Sequence, residues 1–165
     1  MQTDRFELLF DTYYGRIFRY VRYRVGDLQA TEDITSDIFL RVVENYHAYS
    51  AEKSAFEVWL FAIARNAVTD HHRQTWRNGS WLAAAVDIES ARPSPEDGAI
   101  AAERREYLYR ALGALREKER RLIALKFSSE MKNTEIAGLL GISASQVGVR
   151  LHRTLRKIKK IMERL

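Results

Sequence analysis

Both prolines of the chain, Pro93 and Pro95, fall in one stretch, Asn78 to Gly98, which also holds Gly79, Ser80, Ser90 and Ser94. Everywhere else each residue keeps the backbone N–H that a helix needs, so the stretch reads as a flexible linker between two segments free to be helical. Upstream, Phe6, Leu9, Phe10, Tyr13, Ile17 and Val21 recur at steps of three or four, the mark of one buried helical face. A second helix carries Ile34, Ile38, Val42 and Tyr46 as a stripe widened by Phe39 and Val43. A third starts at Ser54-Ala-Phe-Glu57, where serine can cap a free amide and glutamate can reach back to it. Phe56, Trp59, Leu60, Ile63 and Ala67 continue it.

Downstream, Ser94-Pro95-Glu96-Asp97 is another helix start, with proline where its missing N–H costs nothing. Leu108, Leu112 and Leu115 carry that helix, followed by Leu122–Phe127, Ile136–Leu140 and a long helix from about Ala144. No alternating strand pattern occurs, so the fold class is all-α. The organisation expected is two small helical domains, residues 1–77 and 99–165, joined by the linker 78–98. Neither half is long enough for more than a modest core.

The 27 Lys and Arg against 22 Asp and Glu give a net charge of +5, which suits a polyanionic partner without requiring one. With no cysteine, a disulfide framework, a thiolate metal site and a cysteine nucleophile are all excluded, and a reducing cytoplasm fits. The opening MQTDRFELLFDTYYGRIFRY mixes charge with aromatic residues and lacks the apolar run of a signal peptide or membrane span. A cytoplasmic protein with no membrane insertion, no cofactor and no metal is expected.

The segment Thr134 to Val147, TEIAGLLGISASQV, has helix-turn-helix spacing. Ala137 lets two helices approach, Gly141 can take the positive φ that ends the first, and Ser143 with Gln146 makes a capping box for the second. Val147, Leu151, Ile158 and Met162 would hold that second helix down, leaving Gln146, Arg150, His152, Arg153 and Arg156 outside. From Gly148 onward the chain carries seven Lys or Arg and one acid, Glu163. Such a helix fits the major groove, base edges at its first turns and phosphates at its cations.

Helix-turn-helix alone does not separate a repressor from an initiation factor. The run Ala30-Thr-Glu-Asp-Ile-Thr-Ser-Asp-Ile-Phe-Leu-Arg41 and then Phe56-Glu-Val-Trp-Leu-Phe-Ala-Ile-Ala-Arg-Asn-Ala-Val-Thr-Asp70 closely resembles sigma-70 family RNA polymerase factors of the extracytoplasmic-function (ECF) group. The half from Glu117 to Arg153 looks like their region 4, so the resemblance covers nearly the whole chain. It implies a factor without enzymatic activity that binds the β′ clamp helices and β flap of core RNA polymerase and directs promoter-specific initiation. Asp33, Asp37, Ile38, Leu40 and Arg41 would lie in or beside the polymerase contact.

By the same resemblance, Ser54 to Arg77 corresponds to the part that reads and melts the minus-ten element. Phe56, Trp59, Phe61 and Trp76 are its aromatic candidates, and Arg65, Asn66, His72, Arg73 and Arg77 its polar ones, since aromatic faces beside cations hold unstacked bases. Phe56 and Trp59 share spacing with Leu60 and Ile63, which equally suits core packing. Minus-thirty-five contacts would come from Ser143, Ser145, Gln146, Gly148, Val149, Arg150, His152 and Arg153. Here the chain departs from the family pattern of Lys or Arg after the Val147 position, then Ser, then a further basic residue. It has Gly148, Val149 and Leu155 instead, so altered minus-thirty-five recognition is expected.

Three other readings remain. A helix-turn-helix regulator acting without polymerase would leave the N-terminal motif unused. A metal-dependent phosphoesterase is suggested by Asp70-His71-His72, but adjacent histidines on a helix diverge by about 100°. An interaction module held by an anti-sigma factor or another regulator is the third.

Overall fold

The structure is a computed structural model that describes residues 2–77 and 99–164; the linker and the Ser94-Pro95 helix start lie outside them. The described residues form seven α-helices and no strand: α1 Gln2–Val25, α2 Leu28–Asn45, α3 Phe56–Arg77, α4 Ala99–Gly113, α5 Glu117–Ile123, α6 Asn133–Leu140 and α7 Ala144–Met162. A 3-10 turn, Tyr46–Ala48, follows α2.

Local chemistry sets the breaks. Gly26, at φ 83°, ends α1, and the Asp27 carboxylate then accepts the Ala30 amide at 2.7 Å to start α2. The fold is all-α, with two helical domains. In the first, Ile17, Tyr20, Val21 and Val25 of α1 meet Ile38, Phe39 and Val42 of α2 and Leu60, Phe61, Ala64 and Val68 of α3. Each such fully buried large side chain contributes about 1.5–3 kcal/mol. In the second, Leu112 and Leu115 close on Leu122, Leu125, Ile136, Val147, Leu151 and Ile158.

Four details differ from the periodicity. Phe10 is 36% exposed, resting against Phe39 at 4.9 Å rather than sinking below it. Val43 and Leu108 face outward. Thr31 and Thr35, one helical turn apart, fill the buried side of α2 instead. At the third helix, α3 begins at Phe56, and the Glu57 carboxylate is turned toward Arg16, 2.7 Å away on α1.

After α5 the backbone widens into a π-turn, Ala124–Ser128, in which the Ser129 amide reaches the Ala124 carbonyl. The buried Ser129 hydroxyl donates to Leu125 O at 2.7 Å, and Glu130 sits at φ 58°. This irregular turn leaves the carbonyls of Ser128 and Ser129 pointing at α1.

Candidate nucleic-acid and polymerase interfaces

The helix-turn-helix is α6, the turn at Gly141 and α7. Gly141 adopts φ 65° and its amide bonds Ala137 O, while Ile142 N reaches the same carbonyl at 3.1 Å. Ser143 Oγ accepts the Gln146 amide at 3.1 Å, and Gln146 Oε1 accepts the Ser143 amide at 3.0 Å. That reciprocal cap fixes the first turn of α7 and occupies one end of the Gln146 amide, leaving its NH2 for other partners. Val147, Leu151, Thr154 and Ile158 are buried. Ser145, Gln146, Val149, Arg150, His152, Arg153 and Arg156 are exposed, and Gly148 is partly so. Lys157 Nζ holds Glu119 of α5 at 2.7 Å and, after burial, is the main influence on that carboxylate, keeping it below its usual value.

On α2, Asp33 and Leu40 are exposed, Leu40 by 57%. Asp37 pairs with Arg41 at 2.8 Å, and Arg41 extends toward Asp70 of α3 at 4.0 Å. On α3, Arg73 is exposed beside Asp70, and Asn66 is exposed with its Oδ1 facing Arg65. Phe56 and Trp59 are partly buried in an aromatic cluster with Tyr46 and Tyr49; the rings of Tyr49 and Trp59 are 5.2 Å apart.

Two family models match the chain, sigma-70 region 2 over residues 9–78 and sigma-70 region 4 over residues 105–158. The ECF RNA polymerase sigma factor SigX of Bacillus subtilis (strain 168) is 31% identical over 167 residues, covering 98% of this chain and 86% of that one. The chain is a sigma-70 family sigma factor of the ECF group. Its fold is like that of CnrH, solved with the cytosolic domain of CnrY (TM-score 0.70, 20% identity, covering 98% and 89% of the two chains). The sigma factor RpoE of Bartonella quintana, solved with the anti-sigma factor NepR, is similar at TM-score 0.72 and 15% identity, covering 96% and 97%.

Within this sigma factor, some residues expected at a surface are elsewhere. Ile38 has no exposure and belongs to the core, because α2 turns its apolar stripe onto α1 and α3. Phe61 is equally buried, edge-on to Tyr20 with ring centres 5.7 Å apart, and cannot hold a base. His72 is partly buried, and burial, helped by Arg24, lowers its pKa from 6.5, which disfavours the charged form that a phosphate contact would use. His71 is likewise depressed by burial, and Thr75 Oγ1 lies 3.4 Å from its Nε2. The side chains of Trp76 and Arg77 lie outside the described residues.

Periodicity did not reveal the junction between the two domains. Arg16 Nε donates to Ser129 O at 2.7 Å and Arg19 Nε to Ser128 O at 3.2 Å, so two α1 cations take the π-turn carbonyls. Arg65 Nη1 donates to Leu139 O at 2.9 Å, satisfying a last-turn carbonyl of α6 that has no helical partner. The Arg24 side chain is 2% exposed and pairs with Glu117. Across the same junction Glu135 hydrogen-bonds Glu57. A methyl at Gly138 would meet Val58 at 3.7 Å. One signal was present: Arg24 continues the buried row of Ile17 and Val21, where an unpaired cation would be costly.

Proposed function

We propose that this ECF sigma factor joins core RNA polymerase through the exposed part of α2, Asp33, Asp37, Leu40 and Arg41, and reads promoter DNA with both domains. Region 2 would act on the minus-ten element through Arg65, Asn66 and Arg73, with Phe56 and Trp59 as an aromatic floor and Arg77 at its end. Region 4 would read the minus-thirty-five element through Ser143, Ser145, Gln146, Gly148, Val149, Arg150, His152 and Arg153. The observation that carries this reading is the exposed, basic, end-capped face of α7, set on a separate helical body from α2. Cations there can displace counterions from phosphate while the first turns face base edges.

It works in the cytoplasm without catalysing a reaction, and no described helix is long and apolar enough to cross a membrane. A regulator of the anti-sigma kind is a further partner, by analogy with the complexes in which CnrH and RpoE were solved. Gel filtration with core polymerase, followed by run-off transcription on genomic fragments, tests the whole reading. A stable holoenzyme with defined start sites is the expected result, and Gln146→Ala or Arg153→Ala should shift promoter preference. Failure to associate with core polymerase would favour a regulator that binds duplex DNA unaided.

A further inference from the structure

We propose that Val149 reads the 5-methyl group of a thymine in the upstream promoter element, which makes it a specificity-determining residue of this sigma factor. The inference rests on the proposed role of α7 and assigns one base feature to one side chain.

At about 100° of rotation per residue, Val149 lies roughly opposite the buried row of Val147, Leu151, Thr154 and Ile158. It is therefore at the middle of the outward face, in the second turn after the Ser143 cap. It is 48% exposed and is not part of the hydrophobic core. One turn away on either side lie Ser145, Gln146, His152 and Arg153, all exposed.

An apolar side chain ringed by polar and cationic ones does not suit an apolar protein surface, which would have to strip water from Arg150 and Arg153. A major groove matches both parts: phosphates flank it for the cations, and the thymine methyl is the one apolar group that a base pair presents there. Valine also suits the task mechanically. Its branched Cβ leaves essentially one χ1 rotamer in a helix, so its methyls are held in fixed directions. Beside it Gly148 carries no side chain, which lets the groove wall come close.

The test uses holoenzyme reconstituted with core polymerase. Promoter duplexes selected by that holoenzyme from a random upstream library are remade with deoxyuridine replacing each upstream thymine in turn. At one position, loss of the methyl should weaken wild-type binding about three- to fivefold, the effect of exposing one methyl group's worth of surface. This measurement needs no variant. Val149→Ala holoenzyme should bind the thymine and uracil duplexes equally at that position while keeping its preference elsewhere.

The proposal is overturned if wild-type binding is insensitive to every thymine-to-uracil change, if Val149→Ala keeps full sensitivity, or if Val149→Ala loses affinity equally for both duplexes. Selection that enriches no upstream element would instead remove the role of α7 itself, and this inference with it.

Discussion

Gly148 is the one position in α7 without a side chain, and the surrounding protein does not demand it. A methyl there would find only Asn133 Nδ2, at 3.9 Å, an ordinary contact distance. Glycine within a helix costs about 1 kcal/mol relative to alanine, through the extra freedom it loses on folding. Gly148→Ala should therefore raise the stability of the free protein by about 0.5–1 kcal/mol, read as a higher midpoint in thermal or urea unfolding. If the variant also loses activity from promoters, the glycine serves the approach of DNA. A lower midpoint would mean that α7 packs more tightly than these distances allow. The contrast with Val149 is instructive at this scale: one residue gives up contact area and its neighbour presents it.

Elements follow local rules where their signals are local. Gly141 and the Ser143–Gln146 cap were legible in the sequence because each needs only residues within a few positions of itself, and both occur as expected. The Ser54–Glu57 signal is equally local in form, yet Glu57 is drawn to Arg16, 41 positions earlier, which no short window reveals. Phe61, an aromatic candidate for base contact, is in the core for a related reason: a matched motif says that a helix is functional, not which of its faces the core claims. Substitutions at two positions test the local account. A methyl at Gly141 would meet nothing within 4 Å, so the cost of Gly141→Ala comes from its φ of 65° alone, about 1–2 kcal/mol. Gly141→Asn should cost less, since asparagine tolerates that conformation. Ser143→Ala should cost about 1 kcal/mol, and Ser143→Asp should restore most of it, because either side-chain oxygen accepts the Gln146 amide. Equal stability of the alanine and asparagine variants at 141 would show that the turn relaxes out of this geometry.

At the scale of the whole molecule the two domains meet through charge and hydrogen bonds as well as through apolar contact such as that of Val58 with Gly138. Arg65, a candidate minus-ten contact, is held by Leu139 O of the other domain, so its use on DNA requires that bond to open. The Glu57–Glu135 pair sets a pH dependence. Burial and the hydrogen bond to Glu57 raise the Glu135 carboxyl above its ordinary 4.5, so the joined state binds a proton there more tightly than the separated one. Glu135 therefore supports the junction fully below its ordinary value, and the support is lost as pH rises through the raised one. Burial alone would raise Glu57 too, but hydrogen bonds with Glu135, Arg16 and Tyr13 leave it lowered. Its contribution has the opposite sign, being present above the ordinary value and lost as pH falls through the depressed one. Tyr13 is on the same domain as Glu57, Lys132 faces Glu135 from its own, and Arg16 holds Glu57 while also donating across the junction to Ser129 O, so of these groups it is the carboxyl pair whose link depends on a proton. Glu135→Gln supplies a permanent amide donor to Glu57 and still offers an oxygen to the Lys132 amide that Glu135 now caps at 2.7 Å. With fluorophores on exposed positions of α2 and α7, energy transfer in the wild type should fall as pH rises through the raised Glu135 value, and in Glu135→Gln it should stay high throughout. A variant that separates as readily as the wild type, with the same pH profile, would mean that the proton between the two carboxyls does not hold the domains together.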